Sequence, residues 1–219
     1  MILALDTSTP ATTVAVGHDG AVLAQATVVD ARRHAEVLTP LIVETLVAAE
    51  VDPHDLTHVV VGVGPGPYTG LRVGVVTALA WGDALSIPSL GVVSHDALLA
   101  GCPGSVPDDL LVATDARRQE VFWSRYVSGE RVAGPFVDRP SVLADRWPGL
   151  RVVGEGARRY TELLGEPMLP LLPSGAALAR LAMDRLLAGA AFEQPRAVYL
   201  RRPDAVERAV APAAAPVVP

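Results

Sequence analysis

The chain has 219 residues, of which 50% are hydrophobic and 19% are charged, so it can bury a substantial core and is not disordered as a whole. Its net charge of −6 argues against a chain that grips a nucleic-acid backbone by itself. The single cysteine, Cys102, excludes an intrachain disulfide and a thiolate metal cage. We find no signal region and no apolar run of the roughly 20 residues that a membrane span needs, so we expect a cytoplasmic protein.

The N-terminal segment predicts a strand, a polar turn and a hairpin. Residues 2–5 are apolar and predict a buried strand that ends at Asp6, and residues 12–16 and 21–29 predict two more strands. An aspartate at this position, followed by hydroxyl side chains, can hold metal-bound water and phosphate oxygens. Asp6, Thr7 and Ser8 are therefore candidate nucleotide-binding residues. The alternative is an Asx turn that only closes the hairpin.

Two predicted helices carry more apolar residues than a surface helix needs. The first covers residues 31–50 and contains Pro40, and the second follows a Gly-Pro-Gly-Pro turn at 64–67 and runs to residue 85. We interpret each helix as covered on one side by its own sheet and on the other by a second subunit. The alternative is one large intrachain core. Another helix or backbone could approach the second helix along a row of small residues, namely Gly70, Gly74, Ala78 and Gly82.

The second half of the chain begins like the first. Residues 110–114 predict a strand that ends at Asp115, and a turn and a further strand over 120–127 follow, so the strand–Asp–turn–strand pattern occurs twice. Asp115 is therefore another candidate nucleotide-binding residue, although the arginines of the second turn are bulky for a phosphate cradle. Gly154 and Gly156 form a Gly-x-Gly turn between a strand and a helix, which is compatible with nucleotide binding.

Three segments are expected along the chain. The proline- and glycine-rich stretch at 102–107 predicts a boundary between an N-terminal domain, residues 1–103, and a smaller C-terminal domain, residues 104–205. Residues 206–219 predict a disordered Ala/Pro tail. His54 and His58 have the spacing of two metal ligands, but their segment is short and runs into a strand, so we interpret them as exposed loop histidines and expect no metal site.

Taken together, these motifs resemble the TsaB (YeaZ) family over about residues 1–201. The resemblance rests on residues 3–8, 33–34, 62–72, 114–121 and 199–201, and its most specific part is the Gly-Pro-Gly-x-(Phe/Tyr)-Thr-Gly-Leu-Arg element at 64–72. It implies an α/β, two-domain actin-like, sugar-kinase and heat-shock-chaperone ATPase (ASKHA) fold with mixed sheets flanked by helices. It also implies a non-catalytic scaffold subunit, required for threonylcarbamoylation of the adenosine next to the anticodon in tRNAs that read ANN codons.

The resemblance further implies partners and an interface. The chain would dimerise with its catalytic paralogue TsaD and support docking of the ATPase TsaE and of tRNA. A separate synthase would supply threonylcarbamoyl-adenylate, and without its partner the chain would form a homodimer. No membrane contact is implied. The implied interface is a four-helix contact through the first two helices of each chain, with residues Leu38, Leu41, Ile42, Leu71, Arg72, Val75 and Leu79.

The resemblance implies no cofactor for this chain itself. ATP or ADP and Mg²⁺ would belong to the complex, and the metal to TsaD, because residues 94–98 lack the His-x-x-x-His pair that TsaD carries there. Two other functions stay open at this point. A stand-alone ATPase or small-molecule kinase would use Asp6 to hold Mg²⁺ and Asp115 as a base. A glycoprotease-like peptidase would need a Ser/His/Asp order or a metal pair, and we find neither in the sequence.

Overall fold

Two mixed β-sheets form the centres of two lobes in the computed structural model, which describes residues 1–201. The first sheet has the spatial order β3-β2-β1-β4-β5 and contains β1 (Ile2–Asp6), β2 (Ala11–His18), β3 (Ala21–Val29), β4 (His58–Gly62) and β5 (Ser89–Val92). Strands β1, β2 and β3 are antiparallel neighbours, whereas β1, β4 and β5 run parallel.

The second sheet repeats the beginning of the first. It has the order β8-β7-β6-β9 and contains β6 (Asp109–Asp115), β7 (Val121–Val127), β8 (Glu130–Asp138) and β9 (Arg151–Val153). Asp6 pairs with Thr13 at the end of the β1–β2 ladder, and Asp115 pairs with Val121 at the end of the β6–β7 ladder. The predicted repeat of strand, aspartate, turn and strand is therefore present in both sheets.

Three helices follow in the first lobe: α1 (His34–Ala48), α2 (Tyr68–Leu85) and α3 (Ser94–Ala100). Helix α1 begins three residues later than the sequence predicts, and Pro40 lies inside it. Side chains alternate between the faces of β1, so Leu3 and Leu5 contact the core under α1 and α2. Burial of each such leucine contributes about 1.5–3 kcal/mol to folding.

The second lobe has smaller helices: α4 (Pro140–Arg146), α5 (Glu155–Arg158) and α6 (Thr161–Leu164). Its core joins them to the second sheet through Leu111, Trp123, Leu143 and Val152. This lobe also carries an aromatic cluster, in which the ring centroids of Trp123 and Trp147 lie 4.9 Å apart.

Helix α7 (Gly175–Leu187) returns to the first lobe and covers the sheet face opposite α1 and α2. The Ser174 side chain accepts a hydrogen bond from the Ala177 N–H and so caps the helix. In packing terms α7 belongs to the first lobe, although it lies within the segment predicted as the C-terminal domain. The predicted Ala/Pro tail lies outside the described residues.

A buried polar joint connects the lobes behind the sheets. The His95 ring on α3 bonds through Nδ1 to Ser124 Oγ (2.9 Å) and through Nε2 to Thr114 Oγ1 (3.0 Å) on the second sheet. Burial lowers the pKa of His95 to about 3, so the ring is neutral. The neighbouring Asp96 accepts hydrogen bonds from residues of both lobes: Tyr126 (2.6 Å), Arg131 (3.0 Å) and Arg185 (2.8 Å).

The segment from 188 to 201 forms a strap across the front of both lobes. Glu193 exchanges two backbone hydrogen bonds with Gly91 at the edge of the first sheet, and Val198 N–H donates to the Val63 carbonyl. Arg201 then reaches the second lobe, where Nη1 donates to the Ala116 carbonyl (2.8 Å). Within residues 1–201, no helix is both long enough and apolar enough to cross a membrane.

Candidate functional site

A cleft of about 520 Å³ lies between the two lobes, at the end of the sheets where β1 and β6 finish. This interlobe cleft has a volume within the range of small-molecule sites, roughly 300–1,000 Å³. The first lobe lines it with the turn after β1, the start of α1 and the start of α2. The second lobe contributes the β6–β7 turn and Glu155, and the strap contributes Tyr199, Leu200 and Arg201.

Asp6 does not line this cleft, because its own chain encloses the carboxylate. The side chain is 1% exposed. Oδ1 accepts hydrogen bonds from the N–H and the hydroxyl of Ser8, both at 2.7 Å, and Oδ2 accepts one from the Ser94 hydroxyl at 2.6 Å. Burial raises the pKa of Asp6, and these hydrogen bonds oppose the rise. Both carboxylate oxygens are therefore buried and hydrogen-bonded within the chain, so they are shielded from a metal ion in the cleft.

The glycine-rich segment before and within α2 closes the same turn from above. A Cβ on Gly62 would lie 1.7 Å from Asp6 Oδ2, and a Cβ on Gly66 would lie 2.2 Å from the Ser8 carbonyl oxygen. Thr7 is covered in the same way, and its hydroxyl donates to the Gly70 carbonyl (2.7 Å). Only glycine allows such close contact, so these glycines let α2 lie directly on the turn. Of the three candidates in this turn, only Ser8 lines the cleft.

The small-residue row of α2 therefore has an intrachain role. A Cβ on Gly74 would lie 2.4 Å from Thr7 Oγ1, and one on Gly82 would lie 2.2 Å from Ser89 Oγ. Ala78 is buried in the core under the helix. The row faces the chain's own turn and sheet, so the backbone that approaches it closely is not that of another subunit.

In the second lobe, Asp115 lies at the cleft but is already engaged. Its Oδ1 accepts a hydrogen bond from the Arg117 N–H (2.9 Å), and its Oδ2 accepts one from Arg159 Nη1 (2.7 Å). Gly154 and Gly156 do not line the cleft. A Cβ on either glycine would lie within 3 Å of the Ala113 backbone, so both serve the packing of α5 on β6.

Glu155, between those two glycines, is a cleft residue that the sequence analysis did not select. Burial, and next the charge of Asp115, raise the pKa of this carboxyl to about 7, and Arg159 opposes the rise. The side chain is therefore about half protonated at neutral pH. The sequence indicates Glu155 only through its position in the Gly-x-Gly turn, a motif in which the glycines are the usual candidates for nucleotide binding.

The front of the cleft is aromatic and basic. The rings of Tyr68 and Tyr199 lie 4.6 Å apart between centroids, and Arg72 Nη1 donates to the Tyr68 hydroxyl (3.0 Å). Arg201 pairs with Glu120 and so fixes the end of the strap. Deeper in the wall, His34 Nδ1 bonds to Thr12 Oγ1 (2.7 Å), and burial lowers the pKa of this ring.

No group of three or more His, Cys, Asp or Glu side chains in the described part of the chain is arranged to hold a metal ion. His54 is exposed in a 3₁₀ turn (Pro53–Asp55), and His58 begins β4 half-buried, so the two histidines do not share a helix. His95, the histidine nearest the position of the TsaD pair, is part of the joint between the lobes.

The structure changes which residues of α1 and α2 are available to a partner. Five of the seven predicted interface residues lie in the chain's own core with exposed fractions between 0 and 7%, namely Leu38, Leu41, Ile42, Leu71 and Val75. They face the first sheet, so they offer no side-chain surface to another chain. Arg72 and Leu79 are exposed. The helical periodicity of the sequence does not show which side of each helix faces the sheet. Apolar residues recur with the same spacing on both sides of each helix.

A second apolar surface lies on the solvent side of the same helices. Its large side chains have exposed fractions between 44 and 71%, and we call this set the outer helix face: Val43 and Val47 on α1, and Val76 and Leu79 on α2. The two helices that carry these residues contact each other. Whether a partner binds this face stays a prediction.

The two mixed sheets, each with an aspartate-ended strand and a hairpin beside a common cleft, define an α/β protein of the ASKHA class. The solved structure of YeaZ from Pseudomonas aeruginosa has a TM-score of 0.74 at 30% identity, with 91% of this chain and 99% of that chain covered. The family model described as TsaD, tRNA N6-adenosine threonylcarbamoyltransferase, matches residues 22–198. The chain belongs to the TsaB (YeaZ) family, within this larger TsaD-related group.

Sequence relatives agree with this assignment. TsaB of Escherichia coli, whose name describes a tRNA threonylcarbamoyladenosine biosynthesis protein, is 28% identical over 218 residues, or 91% of this chain and 94% of that protein. An uncharacterized protein of Mycobacterium tuberculosis is 44% identical over 215 residues, or 95% of each chain. A relative of Mycobacterium leprae is also 44% identical, and the chain spans only 56% of its length.

Proposed function

We propose that this chain is a non-catalytic subunit of the cytoplasmic machinery that makes threonylcarbamoyladenosine in tRNA. The names of its relatives support the pathway. The observation that carries the non-catalytic role is the closure of Asp6, whose carboxylate oxygens accept three hydrogen bonds from Ser8 and Ser94 and are shielded by Gly62. An ATPase of this fold needs that carboxylate to hold Mg²⁺. Closure therefore favours a supporting role over the alternative of a stand-alone kinase.

The proposed mode of action is pairing with the catalytic subunit TsaD through the outer helix face. Exposed apolar side chains on two helices that contact each other are typical of a protein–protein interface. Arg72 lies at the start of the same helix and can supply a polar contact at the rim. Two related chains could use the same surface in a homodimer when TsaD is absent. In the complex, the pair would provide the surface for TsaE and tRNA, and nucleotide and metal would be held by the partners.

An omission assay tests the proposal. Unmodified tRNA, threonine, bicarbonate, ATP, the synthase, TsaD and TsaE are mixed with and without the full chain, and tRNA digests are assayed for the modified nucleoside. We expect the product to fall at least about tenfold without the chain, a difference of about 1.4 kcal/mol or more in the barrier.

The Asp6→Asn variant separates the two roles in the same assay. It keeps the shape of the side chain but places an NH2 group against a hydrogen-bond donor, so circular dichroism first shows whether the variant is folded. The folded variant should support modification as the unmodified chain does, whereas a kinase that uses Asp6 would lose its ATP turnover, which is measured alongside. Equal product with and without the chain would contradict the proposal.

A further inference from the structure

The interlobe cleft concentrates positive charge on a chain whose net charge is −6. Four arginines line it: Arg32 at the start of α1, Arg117 and Arg118 in the β6–β7 turn, and Arg201 in the strap. Arg32 and Arg117 are exposed, and their guanidinium groups form no ion pair within residues 1–201. A cleft lined by cations raises the local concentration of anionic ligands.

Acidic side chains offset part of this charge, since Arg201 pairs with Glu120 and two carboxyl groups, Asp115 and Glu155, belong to the lining. Asp115 is paired with Arg159 at 2.7 Å. Glu155 has a pKa of about 7 and is half neutral at neutral pH. The backbone of the β6–β7 turn supports the arrangement, because Arg117, Arg118 and Gln119 all have left-handed φ angles, between 53° and 60°. Such a run is uncommon for residues other than glycine, and it brings the turn's side chains to the mouth of the cleft.

An aromatic surface lies beside these arginines. Tyr68 and Tyr199 line the cleft and contact each other, and 39% and 43% of their respective surfaces stay exposed. Arg72 holds Tyr68 through its hydroxyl and also lies over its ring, 5.3 Å from the centroid. Tyr199 thus packs against Tyr68, whose position Arg72 fixes, and the exposed part of the Tyr199 ring can stack on a planar group. Partly exposed tyrosines beside arginines are the combination that binds unpaired nucleotides.

The closed turn after β1 decides against a nucleoside triphosphate with Mg²⁺. The Ser8 N–H, which could otherwise meet a phosphate oxygen, donates to Asp6, and both Asp6 carboxylate oxygens are buried and hydrogen-bonded within the chain. The groups that remain open are the basic turn, the start of α1 and the tyrosine pair at the front. These suit a ligand that brings a flat base and diester phosphates without a metal ion.

We propose that the interlobe cleft binds an unpaired nucleotide of an RNA strand. Its base stacks on Tyr199, and the neighbouring phosphates contact Arg32 and Arg117. Arginine suits this role because its planar guanidinium matches phosphate oxygens in pairs. The inference rests on the proposed function, since a subunit of a tRNA-modifying complex would encounter unpaired nucleotides of tRNA. It gives this chain a direct contact with RNA despite its acidic net charge.

Fluorescence anisotropy of the full chain with a labelled single-stranded RNA of about ten nucleotides, at about 50 mM salt, tests the proposal. Arg32→Gln and Arg117→Gln should each weaken binding about threefold to tenfold and reduce the slope of log K against log salt by about one. Tyr199→Ala should weaken it about 5- to 100-fold, and Tyr199→Phe should bind like the unmodified chain. Arg180→Gln, on the exposed side of α7, is the matched control and should change nothing.

Several results would overturn the proposal: no binding of the RNA, equal loss with Arg180→Gln, equal binding of a fully paired hairpin, or displacement of the RNA by AMP at the same nucleotide concentration. Circular dichroism of each variant shows whether it is folded. The omission assay reports on the proposed function separately. If modification needs the chain but the RNA does not bind, only the cleft proposal fails. If RNA binds as expected but modification proceeds without the chain, only the proposed function fails.

Discussion

Glu155 shows how burial can change the chemistry of a cleft. Its side chain lines the interlobe cleft at the start of α5, with Asp115 and Arg159 as its charged neighbours. Loss of water contact disfavours the ionised form more than Arg159 favours it, so the pKa rises from 4.5 to about 7. The same residue on an exposed helix would be fully charged at neutral pH. The cleft therefore loses a negative charge as the pH falls through 7.

This shift predicts a pH-dependent effect of Glu155→Gln on stability. The folded chain holds the Glu155 proton up to about pH 7, whereas the unfolded chain releases it near 4.5, so this stabilisation is complete below 4.5 and is lost as the pH rises through 7. Glutamine cannot ionise. The variant should therefore be more stable than the unmodified chain near pH 8 by about 1–2 kcal/mol, a value reduced for partial exposure.

Urea unfolding at about pH 5 and pH 8 measures this difference. The exposed Glu162 on α6 provides the control, since Glu162→Gln should change stability equally at both pH values. A Glu155→Gln effect that is the same at both pH values would show that burial does not shift the titration of this group.

At the scale of elements, the position of α2 on the first lobe depends on its glycines as much as on its apolar residues. Glycine inside a helix normally costs about 1 kcal/mol relative to alanine. In α2 the absence of a side chain at Gly74 allows the helix to contact the turn after β1. A Cβ on Gly74 would lie 2.4 Å from Thr7 Oγ1. The helix can then cover Thr7, while Gly62 and Gly66, which precede the helix, lie against Asp6 and Ser8. The turn that resembles a phosphate-binding turn is thereby largely buried.

Gly74→Ala should therefore destabilise the chain, by about 1–3 kcal/mol, although the same change in most helices is stabilising. The physical reason is a collision with Thr7 Oγ1, which donates to the Gly70 carbonyl and cannot move freely. Urea unfolding followed by circular dichroism gives the value. In the double variant Thr7→Ala/Gly74→Ala, the loss should be smaller than the sum of the two single losses. A stabilising Gly74→Ala change would contradict the packing of α2 on the turn.

The strands and the capped helix α7 could be predicted from local patterns, because alternation, turn residues and Ser174 act over a few positions. The aspartate repeat could be predicted for the same reason. The side of α1 and α2 that faces the sheet could not, since Leu71 and Leu79 are equally apolar and only packing distinguishes them. The closure of Asp6 also escaped prediction, because its partner Ser94 lies 88 residues away. Glu155 was missed since desolvation depends on the whole surrounding structure.

At the scale of the whole molecule, three long-range features within residues 1–201 connect the two lobes. The His95 and Asp96 joint lies behind the cleft, the strap crosses the front, and α7 carries the chain back to the first sheet. All three are long-range contacts, so no local pattern in the sequence indicates them. Together they hold the lobes around the cleft and leave the outer helix face of the first lobe free for a partner.

The central claim is that this free face pairs the chain with TsaD. Its most direct test is the dissociation constant of the full chain with the TsaD of the same organism, measured by analytical ultracentrifugation for two matched variants. Val76→Glu changes the outer helix face, and Val132→Glu changes a valine of similar exposure, 55% against 58%, on β8 of the other lobe. We expect Val76→Glu to weaken pairing at least about tenfold and Val132→Glu to leave it unchanged. Unchanged pairing with Val76→Glu, or an equal loss with both variants, would contradict the account.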